Sequence, residues 1–198
     1  MLQKVSSLLE MVDLTPVSQF TDKYPHELSG GQRQRLGIAR AIALNPRYVV
    51  FDEAVSSLDV SVRGQILNLL KTLKKESNLS SLFITHDLAV VRSVANKAAV
   101  MYLGKIVELA DVPELFLQPL HPYTRGLLSA TTIPDPHAAR ERARIVLSGD
   151  VPSPIDPPPG CRFHTRCPYT ATTCTSEEPR LREIGKGHFV ACHSRICP

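Results

Sequence analysis

The sequence predicts an α/β fold with a parallel sheet and flanking helices, and three observations carry that expectation. Two short apolar runs, Tyr48-Val49-Val50-Phe51 and Ser81-Leu82-Phe83-Ile84-Thr85, read as buried strands. A stretch of helical periodicity over residues 62 to 75 lies between them. Each run also ends in polar residues, Asp52-Glu53 after the first and His86-Asp87 after the second. Strand, helix, strand with polar groups at both carboxyl ends describes an open α/β sheet with a site along one edge.

In chain order, Val5, Leu8, Leu9 and Val12 recur at helical spacing, which predicts a short amphipathic helix over residues 2 to 12, closed before Pro16. A second helix is expected from about Gly31 to Leu44, with Ser29 as its N-cap and Asn45-Pro46 as its stop. The run at Tyr48 lacks alternation, as expected of a parallel strand covered on both faces. Residues 62 to 75 place Val62, Ile66, Leu69, Leu70 and Leu73 on one side, against Arg63, Lys71, Lys74 and Lys75 on the other. A helix over residues 88 to 95 should follow the second strand. Residues 98 to 102 and 106 to 109 then read as a hairpin turning at Gly104-Lys105.

The chain has 198 residues, 43% of them hydrophobic, and 23 Lys and Arg against 19 Asp and Glu for a net charge of +4. That supports one modest core with room for a small appended module. So weak a charge gives no footprint for nucleic acid, and no run of about eighteen apolar residues exists to span a bilayer. The amino terminus lacks the apolar region and cleavage site of a secretory signal, so a cytosolic setting is expected. Only 3 of the 16 prolines precede residue 111, and all 5 cysteines follow residue 160. This composition predicts two parts, residues 1–110 and residues 111–198.

Two segments carry chemistry in the first part. Asp52-Glu53 at a strand end are either surface carboxylates or a site in which Asp52 binds a hydrated Mg²⁺ and Glu53 orients or deprotonates a water. His86, at the next strand end, is placed to share that site. In Leu28-Ser29-Gly30-Gly31-Gln32, two glycines at a helix start let backbone amides approach an anion, with the helix dipole in support. The alternative is an ordinary capped helix start. Gly31 then needs a reason, since glycine inside a helix costs about 1 kcal/mol relative to alanine.

Together these motifs resemble the ATP-binding cassette (ABC) ATPases. Leu28-Ser29-Gly30-Gly31-Gln32-Arg33-Gln34-Arg35 is similar to the family's signature motif, Tyr48 to Glu53 to its Walker B strand, Ser57-Leu58-Asp59 to its D-loop and His86 to its switch histidine. Where many members have Asp-Glu-Pro-Thr, this chain has Asp52-Glu53-Ala54-Val55. The resemblance implies ATP and Mg²⁺ as cofactors, with Asp52 supporting Mg²⁺, Glu53 as general base and His86 contacting the γ-phosphate. Ser29, Gly30, Gly31 and Gln32, with Asp59, would serve the nucleotide held by a second ATPase subunit in a head-to-tail dimer. The sequence contains no Gly-x-x-x-x-Gly-Lys-[Ser/Thr] loop, so it resembles the carboxyl-terminal part of a cassette and should hydrolyse little ATP alone.

The second part extends the resemblance. Pro119-Leu120-His121-Pro122-Tyr123-Thr124 and Asp150-Val151-Pro152-Ser153-Pro154 are similar to the carboxyl-terminal extension of ATPase subunits of dipeptide and oligopeptide importers, with nickel and glutathione importers as relatives. The implied partners are membrane permease subunits and, indirectly, an extracytoplasmic peptide-binding protein, with no nucleic acid. The implied place is peripheral, on the cytoplasmic face of the membrane. Cys161, Cys167, Cys174 and Cys192 are expected to form one metal site, a [4Fe–4S] cluster ahead of zinc, with Cys197 outside it. A non-catalytic, metal-bearing regulatory partner of a full-length ATPase is the alternative reading.

Overall fold

The computed structural model describes residues 2–56, 58–76, 78–130 and 145–194. The chain divides into two compact units, Met1–Val94 and Ala95–Pro198. The division falls ahead of the hairpin, not at Asp111, because the hairpin pairs with a strand near the carboxyl end.

In the first unit, α1 (Leu2–Met11), α2 (Gly30–Ile42), β1 (Tyr48–Asp52), α3 (Val60–Glu76), β2 (Ser80–Ile84) and α4 (Leu88–Val94) follow in order. Leu9, Val12, Ile38, Ile66, Leu73 and Val90 bury the apolar faces of all four helices together. Arg35 pins three of these segments, donating to the Val12 carbonyl at 2.8 Å, Asp13 Oδ2 at 2.9 Å and Gln65 Oε1 at 3.2 Å. Asn45, at φ 49°, ends the second helical segment where the sequence places the stop.

β1 and β2 pair in parallel, with Val50 opposite Leu82 and Asp52 opposite Ile84. The expectation that these strands are covered on both faces is not met. Val49 and Phe51 are buried, and Phe51 stacks on Phe83 with ring centroids 4.7 Å apart, but Tyr48, Val50, Leu82 and Ile84 are exposed. Helices cover one face only, and a continuous apolar run does not reveal which face a sheet leaves open.

The second unit holds β3 (Lys97–Tyr102), β4 (Lys105–Asp111), α5 (Val112–Leu117), α6 (Pro122–Ser129), α7 (Thr172–Ser176), β5 (Arg182–Gly185) and β6 (His188–Val190). The strands form one antiparallel sheet in the order β3-β4-β6-β5. The hairpin turns one residue earlier than expected, at Leu103-Gly104, with φ 45° and 78°. A two-residue turn that follows the strand twist needs positive φ at both positions. The proline- and cysteine-bearing extension reads from its sequence as loop-rich; its last part instead adds two strands, β6 and β5, to the hairpin.

Tyr102, Val107 and Phe163 form the second unit's core, where Phe163 lies edge-on to Tyr102 at 5.2 Å. Beside it Glu108 is fully buried. Its carboxylate accepts the Leu120 N–H at 2.7 Å, the His121 N–H at 2.9 Å and a hydrogen bond from His188 Nε2 at 2.7 Å. His121 caps α6, its Nδ1 accepting the Tyr123 N–H at 3.1 Å.

Candidate functional site

The register of β1 on β2 brings the two polar strand ends to one edge. The Glu53 N–H donates to the Ile84 carbonyl at 2.9 Å, extending the ladder past Asp52. Glu53 then turns the chain at φ 46°, a left-handed conformation that costs of order 1 kcal/mol or more for a residue with a side chain. The turn directs its carboxylate to the imidazole of His86, with Oε1 3.2 Å from Nδ1. An ionised carboxylate only accepts, so Nδ1–H donates and Nε2 stays available to a ligand. Both side chains are largely exposed, and Asp52 is exposed beside them.

Ser29 caps α2 as its sequence suggests. Its Oγ accepts the Gln32 N–H at 3.3 Å, and Gln32 Oε1 accepts the Ser29 N–H at 2.9 Å, a reciprocal capping box. The cap still leaves the Ser29 hydroxyl proton to donate, and the amides of Gly30 and Gly31 have no intrahelical acceptor. Gly31 also has a packing reason. A Cβ there would lie 2.6 Å from Val62 Cγ1 at the start of α3, whereas Gly30 has its nearest neighbour, Leu58 Cδ2, at 3.8 Å.

Asp59 is committed locally: its Oδ1 accepts the Val62 N–H at 2.9 Å, capping α3. Ser57 lies outside the described residues. No hydrogen bond joins the Ser29–Gln32 segment to Glu53 or His86 among the described residues.

In the second unit, Cys161, Cys167, Cys174 and Cys192 are thiols rather than disulfides. Burial pushes the Cys161 thiol up to about 11, and the nearby Cys174, Cys167 and Cys192 add to that. Cys167 is raised too, by burial first and then in part by Cys192 and Cys174. The four sulfurs therefore share one neighbourhood. Among the described residues, however, no three His, Cys, Asp or Glu side chains stand grouped as a metal ion requires, so the expected metal site is not formed here. Cys197 lies outside the described residues.

Two constellations were not read from the sequence. Arg63 and Asp87 form an ion pair at 2.6 Å, and Glu108 joins His188 to the turn before α6. Their partners are 24 and 80 residues apart, beyond any local periodicity.

Residues 1–56 match the family model for ABC transporters, and residues 107–174 match that for the oligopeptide/dipeptide transporter, C-terminal region. The oligopeptide transport ATP-binding protein AppF of Bacillus subtilis is 51% identical over 191 residues, 96% of this chain and 57% of AppF. YkfD of the same organism, provisionally named for the same transport, is 53% identical over 189 residues, again 96% of this chain and 57% of the relative. The chain thus spans little more than half the length of these curated relatives. A crystal structure of an ATP-binding cassette of an ABC transporter in its ADP conformation superimposes on 59% of this chain and 46% of that one, with a TM-score of 0.52 and 28% identity. With its α/β architecture, these likenesses converge: residues 1–56 are similar to ATP-binding cassettes, and residues 107–174 to the C-terminal region of oligopeptide/dipeptide transporters.

Proposed function

We propose that this chain supplies the catalytic strand ends and the signature helix of an ATP-hydrolysing subunit that energises import of di- or oligopeptides. The observation that carries this reading is the pairing of Glu53 with His86 at adjoining strand ends. In that role Glu53 accepts a proton from the attacking water, and His86 holds Glu53 through Nδ1 while Nε2 faces the terminal phosphate. Asp52, an exposed carboxylate at the same edge, has the hard oxygen donors that Mg²⁺ takes, and bound there the ion would offset phosphate charge. Ser29, Gly30, Gly31 and Gln32 present a hydroxyl, two amides and a side-chain amide toward nucleotide on a second ATPase subunit. Asp59 acts indirectly, by fixing the start of α3.

The wider assembly follows from the same reading: a second ATPase subunit, permease subunits in the membrane, and a peripheral place on its cytoplasmic face. No helix among the described residues is long and apolar enough to cross a bilayer. In the second unit Cys161, Cys167, Cys174 and Cys192 are proposed to hold a [4Fe–4S] cluster, with zinc as the alternative metal. The donor chemistry fits, since four neighbouring thiols are the soft set such a group takes. Assembly would have to draw the sulfurs closer, and no catalytic step depends on it.

The test joins this sequence to a phosphate-binding loop and compares Glu53→Gln with the parent. ATP binding should persist while turnover falls about a hundredfold or more. Unchanged turnover would reduce Glu53 to a strand-end carboxylate.

A further inference from the structure

Arg63, in the first turn of α3, reaches in two directions at once. Its Nη1 donates to Asp87 Oδ2 at 2.6 Å, and its Nη2 donates to the Leu58 carbonyl at 3.0 Å. Leu58 lies in the segment that runs from the Glu53 turn to α3, and Asp87 directly follows His86. Asp87 is itself fully engaged. Its Oδ1 accepts the Ala89 N–H at 2.8 Å and the Val90 N–H at 3.4 Å, and its own N–H donates to Thr85 Oγ1 at 3.0 Å. The turn that carries His86 is therefore held on both sides, and the guanidinium is its link to the segment at Leu58.

Stability alone is a poor reason for this bridge. Asp59 already caps α3, and an ion pair whose side chains are 27% and 28% exposed adds little to a fold. A guanidinium differs from an ammonium in being a rigid planar fork, so it fixes the separation of two acceptors where lysine satisfies one at a time. The Arg63 fork spans the Leu58 carbonyl and Asp87, so displacement of either is carried to the other or breaks a bond.

We infer that Arg63 is a positioning residue that couples the Leu58-Asp59 segment to the His86 turn, so that His86 meets Glu53 only while the fork holds both acceptors. The inference rests on the roles proposed for Glu53 and His86.

The experiment uses the full chain. Nitrogen-15 spectra of the His86 ring report which nitrogen carries the proton and whether Nδ1 is hydrogen-bonded, and urea unfolding reports stability separately. Glu53→Ala defines the signal of an unpartnered His86. Arg63→Ala should move the His86 signals at least halfway to that reference. Asp87→Asn, which keeps a cap for α4 but loses the charge facing Arg63, should do the same, and it serves if Arg63→Ala fails to fold. Arg63→Lys should unfold at the parent's midpoint while leaving the signals displaced. Signals that stay at the parent position in Arg63→Ala and Asp87→Asn, or return there in Arg63→Lys, overturn the inference. His86 signals unmoved by Glu53→Ala would show that the Glu53–His86 pair itself is wrong, and the inference would fall with it.

Discussion

Glu108 and His188, 80 residues apart in sequence, meet at 2.7 Å with side chains 0% and 6% exposed. The same carboxylate takes the backbone amides of Leu120 and His121, so one buried side chain ties β4 to β6 and to the turn before α6. Glu108→Gln keeps the shape but turns an amide donor toward one of these donors. Breaking a buried, hydrogen-bonded group of this kind costs about 3 kcal/mol. Urea unfolding followed on the second unit should show that loss, and an unchanged midpoint would mark the network as dispensable.

His121 sets how the second unit responds to acid. Burial lowers its ionisation from the ordinary 6.5 to about 4, against a smaller opposing effect of Glu108. Below pH 6.5 the unfolded chain therefore binds a proton that the folded chain refuses. Stability is fully present above that range and falls as pH drops toward 4, by on the order of 3 kcal/mol. Protonation would also break the Tyr123 N–H bond to Nδ1. His121→Asn keeps an acceptor for the cap without a titrating group, so its unfolding midpoint should vary less between pH 7 and pH 4.5. An equally steep profile would assign the acid response elsewhere.

The two glycines that open α2 should behave differently. Gly31→Ala drives a methyl group into Val62 and should cost about 1–3 kcal/mol, while Gly30→Ala should be neutral or slightly stabilising. Thermal unfolding of both variants checks the order. Val62→Ala should rescue Gly31→Ala, giving a non-additive double variant.

Features with a local cause were legible in advance. The Ser29 cap, the Asn45 stop and the helices on either side of β1 each follow from residues within a turn or two. The Glu53–His86 edge was legible as well, because parallel neighbours end at the same place. The pairing of β6 with β4 was not, since His188-Phe189-Val190 is too short to carry a period and its partner lies 80 residues back. One-sided cover of β1 escaped for another reason: Val49 and Val50 are chemically alike, and only the surrounding packing separates buried from exposed. The family resemblance implied that the four cysteines gather, whereas their wide spacing in the sequence does not encode how close the sulfurs come.

Metal loading should be decided at Cys161, Cys167, Cys174 and Cys192. Anaerobic purification is expected to give a brown protein with about four irons per chain, and serine at any one of the four should remove the colour. Cys197→Ser should leave it. One zinc in a colourless protein would replace iron and keep the site. Without metal, the raised Cys161 thiol should react slowly with alkylating agents at pH 8 and faster only as pH approaches 11.

The open face of β1 and β2 also governs how the protein behaves in a tube. Tyr48, Val50, Leu82 and Ile84 meet water side by side, and attraction between such faces is driven by solvent release rather than by charge. It strengthens on warming and in sulfate and fades in the cold, the opposite of an electrostatic contact, which added salt would screen. Light scattering of the chain should therefore rise between 4 °C and 30 °C, while Val50→Lys should flatten the curve. Preparations held cold and free of sulfate should stay dispersed longest.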